Sequence, residues 1–142
     1  MNAPQTQPIP QGDYVPATRY QSIIHTSGMT PRRDGVLVQT GPVPRDGPLE
    51  DFRDAVALAC GNALTAARSL LVGEERISAV LSMDVFIAAE AGFTAHSKLA
   101  DFASHHLRTE VGTGGIGSRA AVGVSTLPGN APVEIRLVVA VQ

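Results

Sequence analysis

Apolar residues recur at two spacings along this chain, and the switch between them separates strands from helices. Over residues 77–87 the period is two. Ile77, Ala79, Leu81, Met83, Val85 and Ile87 share one face, and Ser78, Val80, Ser82, Asp84 and Phe86 share the other. The first face reads as core, and the mixed second face suits a sheet that meets another subunit. Near the C-terminus, Ala120, Val122 and Val124 alternate with Arg119, Ala121, Gly123 and Ser125. Val133, Ile135, Leu137, Val139 and Val141 then form a core face, with Glu134 and Arg136 opposite. Residues 14–20, broken by Pro16, suit an edge strand, and 22–28 form a clearer one. Residues 36–40, after the turn-rich 30–35, read as a further β segment and hairpin partner.

Helical spacing takes over after Gly47-Pro48. Phe52, Val56, Cys60, Ala63, Leu64, Ala67 and Leu71 line one stripe, Glu50, Asp51 and Asp54 favour the positive helix end, and Gly73 offers a stop. A second helix is predicted over 94–111, with Leu99, Phe102, Ala103, Leu107 and Val111 inward. The glycine-rich 112–117 neither follows a strand nor opens a helix, so it reads as a flexible loop bordering a site rather than a phosphate cradle.

Two charges stand out on the last strands. Arg119 and Glu134 each begin an otherwise apolar strand, where a fixed charge needs a partner or a ligand. A structural ion pair or a half-exposed edge is the ordinary explanation for such residues. A guanidinium can also clamp a carboxylate, and a carboxylate without a counter-ion can hold a water. The connection 127–132 is short, so the two strands run antiparallel, adjacent or with another strand between them. With both residues at strand starts, they are predicted at opposite ends of the sheet, roughly 20 Å apart, both on the helix-free face if the apolar faces meet the helices. One chain alone then cannot bring both to one small ligand, whereas subunits packed together can.

Composition narrows the possibilities. The 142 residues suit a single domain over 13–142, preceded by a Pro/Gln-rich tail over 1–12 that reads as mobile and not as a signal peptide. Only 17% of residues are charged, a deficit that points to surface covered by other subunits. A net charge of −2 and the absence of Trp give no footprint for nucleic acid or an anionic membrane. Without a spanning hydrophobic run, the chain reads as cytoplasmic.

Other reactive side chains have ordinary explanations. Cys60 falls in a helical apolar pattern and reads as a small core residue. His96, His105 and His106 share no i,i+4 pair, and His96 and His105 lie on opposite sides of their helix, so no metal is expected. His25 reads as a structural strand histidine, Arg32-Arg33-Asp34 as a solvated turn, and Met29 and Met83 as core or interface.

Three motifs carry a family resemblance: Gly12-Asp13-Tyr14-Val15, then Thr26-Ser27-Gly28, and above all the run from Ser118 through Leu127-Pro128 to Val133-Glu134-Ile135. In this order, over nearly the whole chain, the sequence resembles the RidA (YjgF-type) family of reactive-intermediate imine/enamine deaminases. The His96-Ser97-Lys98 region is similar to a divergent branch. The resemblance implies an α+β, chorismate-mutase-like fold, a mixed sheet backed by two helices on one face, in a barrel-like homotrimer with sites between subunits. It also implies cofactor-free hydrolysis of 2-imino or 2-aminoacrylate-type acids to 2-keto acids and ammonia. Arg119 would clamp the substrate carboxylate and Glu134 of a neighbouring chain would hold the attacking water. Tyr14, Ser27 and Gly28 would border the substrate. Ser97 stands where typical members carry asparagine, and Ala121 where they carry cysteine. The alternatives are a non-catalytic member that binds 2-keto or amino acids and, with less support from the charge, an endoribonuclease or translation inhibitor.

Overall fold

A computed structural model describes residues 7–142. Seven strands and two helices follow in the order β1 (Ala17–Tyr20), β2 (Ile23–Thr26), β3 (Arg32–Arg33), β4 (Val36–Leu37), α1 (Arg53–Arg68), β5 (Ile77–Ala88), α2 (His96–Val111), β6 (Ser118–Val124) and β7 (Val133–Val141). Five strands form one sheet, ordered β1-β2-β7-β5-β6. β5 and β6 are parallel, as their helical crossover through α2 requires, and the other neighbours are antiparallel. β7 inserts between β2 and β5, so β6 and β7 run antiparallel with β5 between them, one of the two arrangements expected.

Both helices cover one face. The alanines of α1 bring it close to the sheet, and Ala55, Ala59, Ala63, Ala66 and Ala67 are buried with Val56, Cys60 and Leu64. From β7, Val133, Ile135, Leu137 and Val139 meet them with no exposed surface. A 3-10 turn, Leu49–Phe52, precedes α1, which ends at Arg68; Leu71 lies in the turns beyond and Gly73 adopts φ 61° further on. No helix of the described residues is long and apolar enough to cross a membrane.

Three expectations change. First, β5 does not alternate throughout. Its pairing with β7 slips between Ile77 and Ala79 and again between Val80 and Ser82, which turns Val80 into the core and leaves Leu81 44% exposed. Second, the short hairpin pairs Val36–Leu37 with Arg32–Arg33 through Asp34 and Gly35, both at positive φ, rather than with the preceding long strand. Third, the glycine-rich loop is tightly packed. A Cβ on Gly114, Gly115 or Gly117 would collide with the main-chain oxygens of Ser78, Leu107 and Val80 respectively, so these glycines serve close approach to β5 and α2.

The other face of the sheet is open. Glu134, Phe86 and Val122 stand side by side across β7, β5 and β6, and Val122 is 42% exposed. In the next row along, Asp84 and Arg136 form an ion pair at 3.0 Å.

Of the predicted tail, residues 1–6 lie outside the described residues. Gln7 donates its side-chain amide to Ser69 Oγ at 3.2 Å, and the Gln11 N–H donates to Tyr14 Oη at 3.0 Å.

Candidate functional site

Alternation on β7 places Glu134 on the open face, because its neighbours Val133 and Ile135 are committed to the core. The chain around Gly28 is drawn alongside by two main-chain hydrogen bonds, Met29 N–H to Ile135 O and Ile135 N–H to Met29 O, each 2.8 Å. Gly28 therefore lies against the Glu134 side chain, and a Cβ there would sit 2.6 Å from Oε2. Half-burial pushes the Glu134 carboxyl above the ordinary glutamate range, since removal from water disfavours the charged form. Among the described residues the Glu134 side chain makes no hydrogen bond or ion pair. A sequestered carboxyl without a counter-ion is suited to exchanging a proton with a bound water.

Ser27 and Tyr14 lie beside Gly28. The Ser27 hydroxyl donates to Val15 O at 2.7 Å and its N–H to Pro16 O at 2.8 Å, so it ties the β1 approach to β2 and keeps only acceptor capacity for a ligand. Tyr14 is 46% exposed, and with Gly28, Ile9 and Gln11 it lines a cavity of ≈ 60 Å³.

Arg119 belongs to a second group. Its cross-strand neighbour on β5 is Met83, whose side chain is buried beneath the helices, so Arg119 also faces the helices. There α2 surrounds the guanidinium. Nη1 donates to Asp101 Oδ1 at 2.8 Å and Ser104 Oγ at 2.9 Å, and Nη2 to Ser97 O at 3.2 Å and Ser97 Oγ at 2.8 Å. Of the five guanidinium N–H groups, Nε–H alone is left without a partner among the described residues. Ala121, next on this face, packs against the core. Gly123 follows, and a Cβ there would lie 2.8 Å from His96 Nε2.

The expected placement of the two charges is thus corrected. Arg119 and Glu134 lie on opposite faces of the sheet, not together on the helix-free one. Nor are they at opposite ends: Arg119 is level with Met83 and Glu134 with Phe86, three residues apart along β5, or about 10 Å. The more apolar face of β6 is not the one that turns inward. On this edge strand the polar stripe of α2 satisfies the arginine, and Val122 turns outward instead. Gly28 touches Glu134 and shares a small cavity with Tyr14, and Ser27 is its chain neighbour; Arg119, Ser97 and Ala121 lie in another place, on the helix-covered face. Asp101 and Ser104 were missed by sequence reasoning. Their spacing from Ser97, i+4 and i+7 on a helix, was the available signal.

The remaining candidates carry no comparable geometry. Cys60 is fully buried, its thiol donates to Ala103 O at 3.7 Å, and burial pushes it up to about 12, far from a thiolate at neutral pH. His96 stacks edge-on against Phe93, with ring centroids 5.0 Å apart. His106 is half-buried, and that desolvation lowers its pKa. No group of three His, Cys, Asp or Glu side chains able to hold a metal converges among the described residues.

Comparison with known proteins adds to this geometry. The family model described as endoribonuclease L-PSP matches residues 4–141. Protein TCP17 of Trypanosoma cruzi is 30% identical over 129 residues, which span 85% of this chain and 80% of that protein. The crystal structure of Atu1372 from Agrobacterium tumefaciens is 32% identical and superposes with a TM-score of 0.85, over 94% of this chain and 86% of that one. The YjgF gene product of E. coli, 20% identical, shares the fold with a TM-score of 0.67 over 94% and 92% of the two chains.

Proposed function

The chain belongs to the endoribonuclease L-PSP family, the YjgF/RidA family, and from that membership we propose that it hydrolyses 2-imino acids and related enamines to 2-keto acids and ammonia. The observation that carries this reading is Glu134, a half-buried carboxyl without a counter-ion, seated against a glycine on an open sheet face. A protonated imine carbon is already electrophilic, so the chemistry asks little beyond a positioned water. Glu134 takes a proton from the water as its oxygen bonds to the carbon. That proton is returned to the amine nitrogen; as the C–N bond breaks and ammonia leaves, Glu134 takes the hydroxyl proton and the carbonyl forms, and the proton passes to the departing ammonia as ammonium.

Arg119 completes the site in this reading by binding the substrate carboxylate. Because it lies on the other face from Glu134 in its own chain, the partner arginine comes from a neighbouring subunit of a homotrimer. The half-open row of Phe86 and Val122 beside Glu134 is the apolar surface that such packing would cover. A second reading has a specific observation behind it. Arg119 already holds four acceptors of its own chain, as it would in a member that binds carboxylates weakly or does not turn them over. RNA cleavage, which the family description names, draws no support from a net charge of −2.

The test is a coupled assay in which an amino-acid oxidase generates the imine and its decay is followed with and without the protein. Acceleration supports the reaction. Unchanged decay together with keto-acid binding favours the second reading.

A further inference from the structure

We propose that Asp101 is an internal stand-in for the substrate carboxylate, a positioning residue that occupies the Arg119 fork and sets how tightly carboxylate ligands bind. The inference rests on the reading of Arg119 as the carboxylate clamp. The acceptors around this guanidinium are of two kinds. Ser97 O, Ser97 Oγ and Ser104 Oγ are neutral, short-tethered and belong to the helix that covers β6. They fix the plane of the fork. Asp101 differs in being charged and exposed: its side chain is 68% accessible, against 20% for that of Arg119.

That asymmetry decides which acceptor can leave. An exposed carboxylate regains full hydration when it swings away, so its ion pair is cheap to break. A ligand carboxylate arriving at Nη1 then takes over a charge-assisted bond to a guanidinium that the two serines hold in place. The exchange replaces one carboxylate with another, so the clamp is never left unpaired. Asp101 also imposes selectivity. Neutral ligands cannot compete with it for the cation, and only a carboxylate at the right height can.

Removing the competing charge should therefore tighten carboxylate binding. Titration calorimetry with pyruvate as the probe, and pyruvamide as its uncharged counterpart, measures this directly on the assembled protein. Asp101→Asn is expected to lower the dissociation constant for pyruvate roughly two- to fivefold, the range an exposed ion pair allows, and to leave pyruvamide unaffected. Asp101→Glu, which restores the charge, should return pyruvate affinity to that of the original chain. Ser104→Ala, which loosens the fork, should weaken it.

The outcomes separate the two ideas. Equal or weaker pyruvate binding by Asp101→Asn overturns the stand-in role, whether or not the original protein hydrolyses imines. Tighter binding by Asp101→Asn in a protein that leaves imine decay unchanged overturns the proposed reaction and supports the stand-in role. Absence of pyruvate binding by every variant overturns the stand-in role, and the coupled imine assay alone then decides the reaction.

Discussion

Gly28 and Glu134 are in contact so close that the glycine has no room for a methyl group. A Cβ on Gly28 would lie 2.6 Å from Oε2, 2.7 Å from Cδ and 2.9 Å from Cγ of Glu134. Gly28 does not adopt a positive φ, so the requirement for glycine is one of space and not of backbone conformation.

Gly28→Ala should therefore separate stability from activity. The colliding atoms belong to a flexible, half-exposed side chain, which can rotate outward instead of forcing the backbone apart. The melting temperature should change little, with a cost below about 1 kcal/mol. The carboxyl would no longer stand where water must be held, and displacement by about 1 Å can cost on the order of a hundredfold in rate. Thermal unfolding and imine turnover measured on the same sample check both halves. A large stability loss with turnover intact would contradict the argument.

Glu134→Gln removes the proton acceptor while keeping the shape. Turnover should fall roughly 10²- to 10⁴-fold while pyruvate binding persists. The pH dependence has a definite sign. Because burial raises the folded-state pKa, the active carboxylate is lost as pH falls through a value above the ordinary glutamate range, so the acid limb of the rate profile should lie correspondingly high. Linkage runs the other way for stability. A raised carboxyl pKa contributes stability that is present below the unfolded value and lost as pH rises through the folded one, so Glu134→Gln should be at least as stable as the original chain at neutral pH. A destabilised glutamine variant would mean that the carboxylate serves the fold.

Most of the architecture was legible in the sequence because it rests on periodicity. The core alternation of β7 and the alanine-rich stripe of α1 are each dictated by what must be buried. The faces of β5 and β6 were not legible in full, for two physical reasons. Bulges around Ser78 and Leu81 reverse the side-chain alternation locally, and nothing in the residue pattern marks them. On β6 the arginine turns inward because a polar stripe on a distant helix receives it. That is a tertiary satisfaction, which no window along one strand contains. The motif around Glu134 was legible from its residue types, whereas its contact with Gly28 depends on the pairing of Met29 with Ile135.

Arg119→Ala should lower kcat/KM by roughly 30- to 1000-fold, equivalent to about 2–4 kcal/mol for a charge-assisted clamp in a partly desolvated site. The structure adds a control. The same substitution releases Asp101, which is exposed and can rehydrate, so the fold should survive. Circular dichroism and sedimentation on the variant establish this before kinetics are read. Normal hydrolysis by a folded variant would leave Arg119 as a brace between β6 and α2.

Acid stability should depend on Arg19 and Glu75. The guanidinium of Arg19 meets both carboxylate oxygens of Glu75, at 2.6 and 2.7 Å, and also binds Leu70 O and Gln21 O, joining the edge strand β1 to the turns after α1. The hydrogen bonds from Arg19, with that from the Val72 N–H, hold the Glu75 carboxyl down at about 2. A depressed carboxyl contributes stability that is present above its unfolded value and lost as pH falls through the folded one. The melting temperature of the original chain should therefore fall more steeply than that of Glu75→Gln as the pH drops from about 4.5 toward 2. Parallel slopes would remove Glu75 from the account of acid unfolding.

The shared cleft makes the sharpest prediction, since it concerns two chains at once. Arg119 and Glu134 lie on opposite faces of one sheet, so a site that uses both must draw them from different subunits of the proposed trimer. Sedimentation should first give three times the chain mass; a monomer at micromolar concentration would end the argument there. Arg119→Ala and Glu134→Gln should each be nearly inactive alone. Co-expressed in equal amounts, they should assemble into mixed trimers in which about a quarter of the clefts combine an intact arginine from one chain with an intact glutamate from the next. Activity should return to roughly that fraction of the original, and trimers isolated by two different affinity tags should retain it. Recovery depends on geometry alone, because neither variant regains its own missing side chain. Mixed trimers as inactive as their parents would show that the two residues do not meet across a subunit boundary.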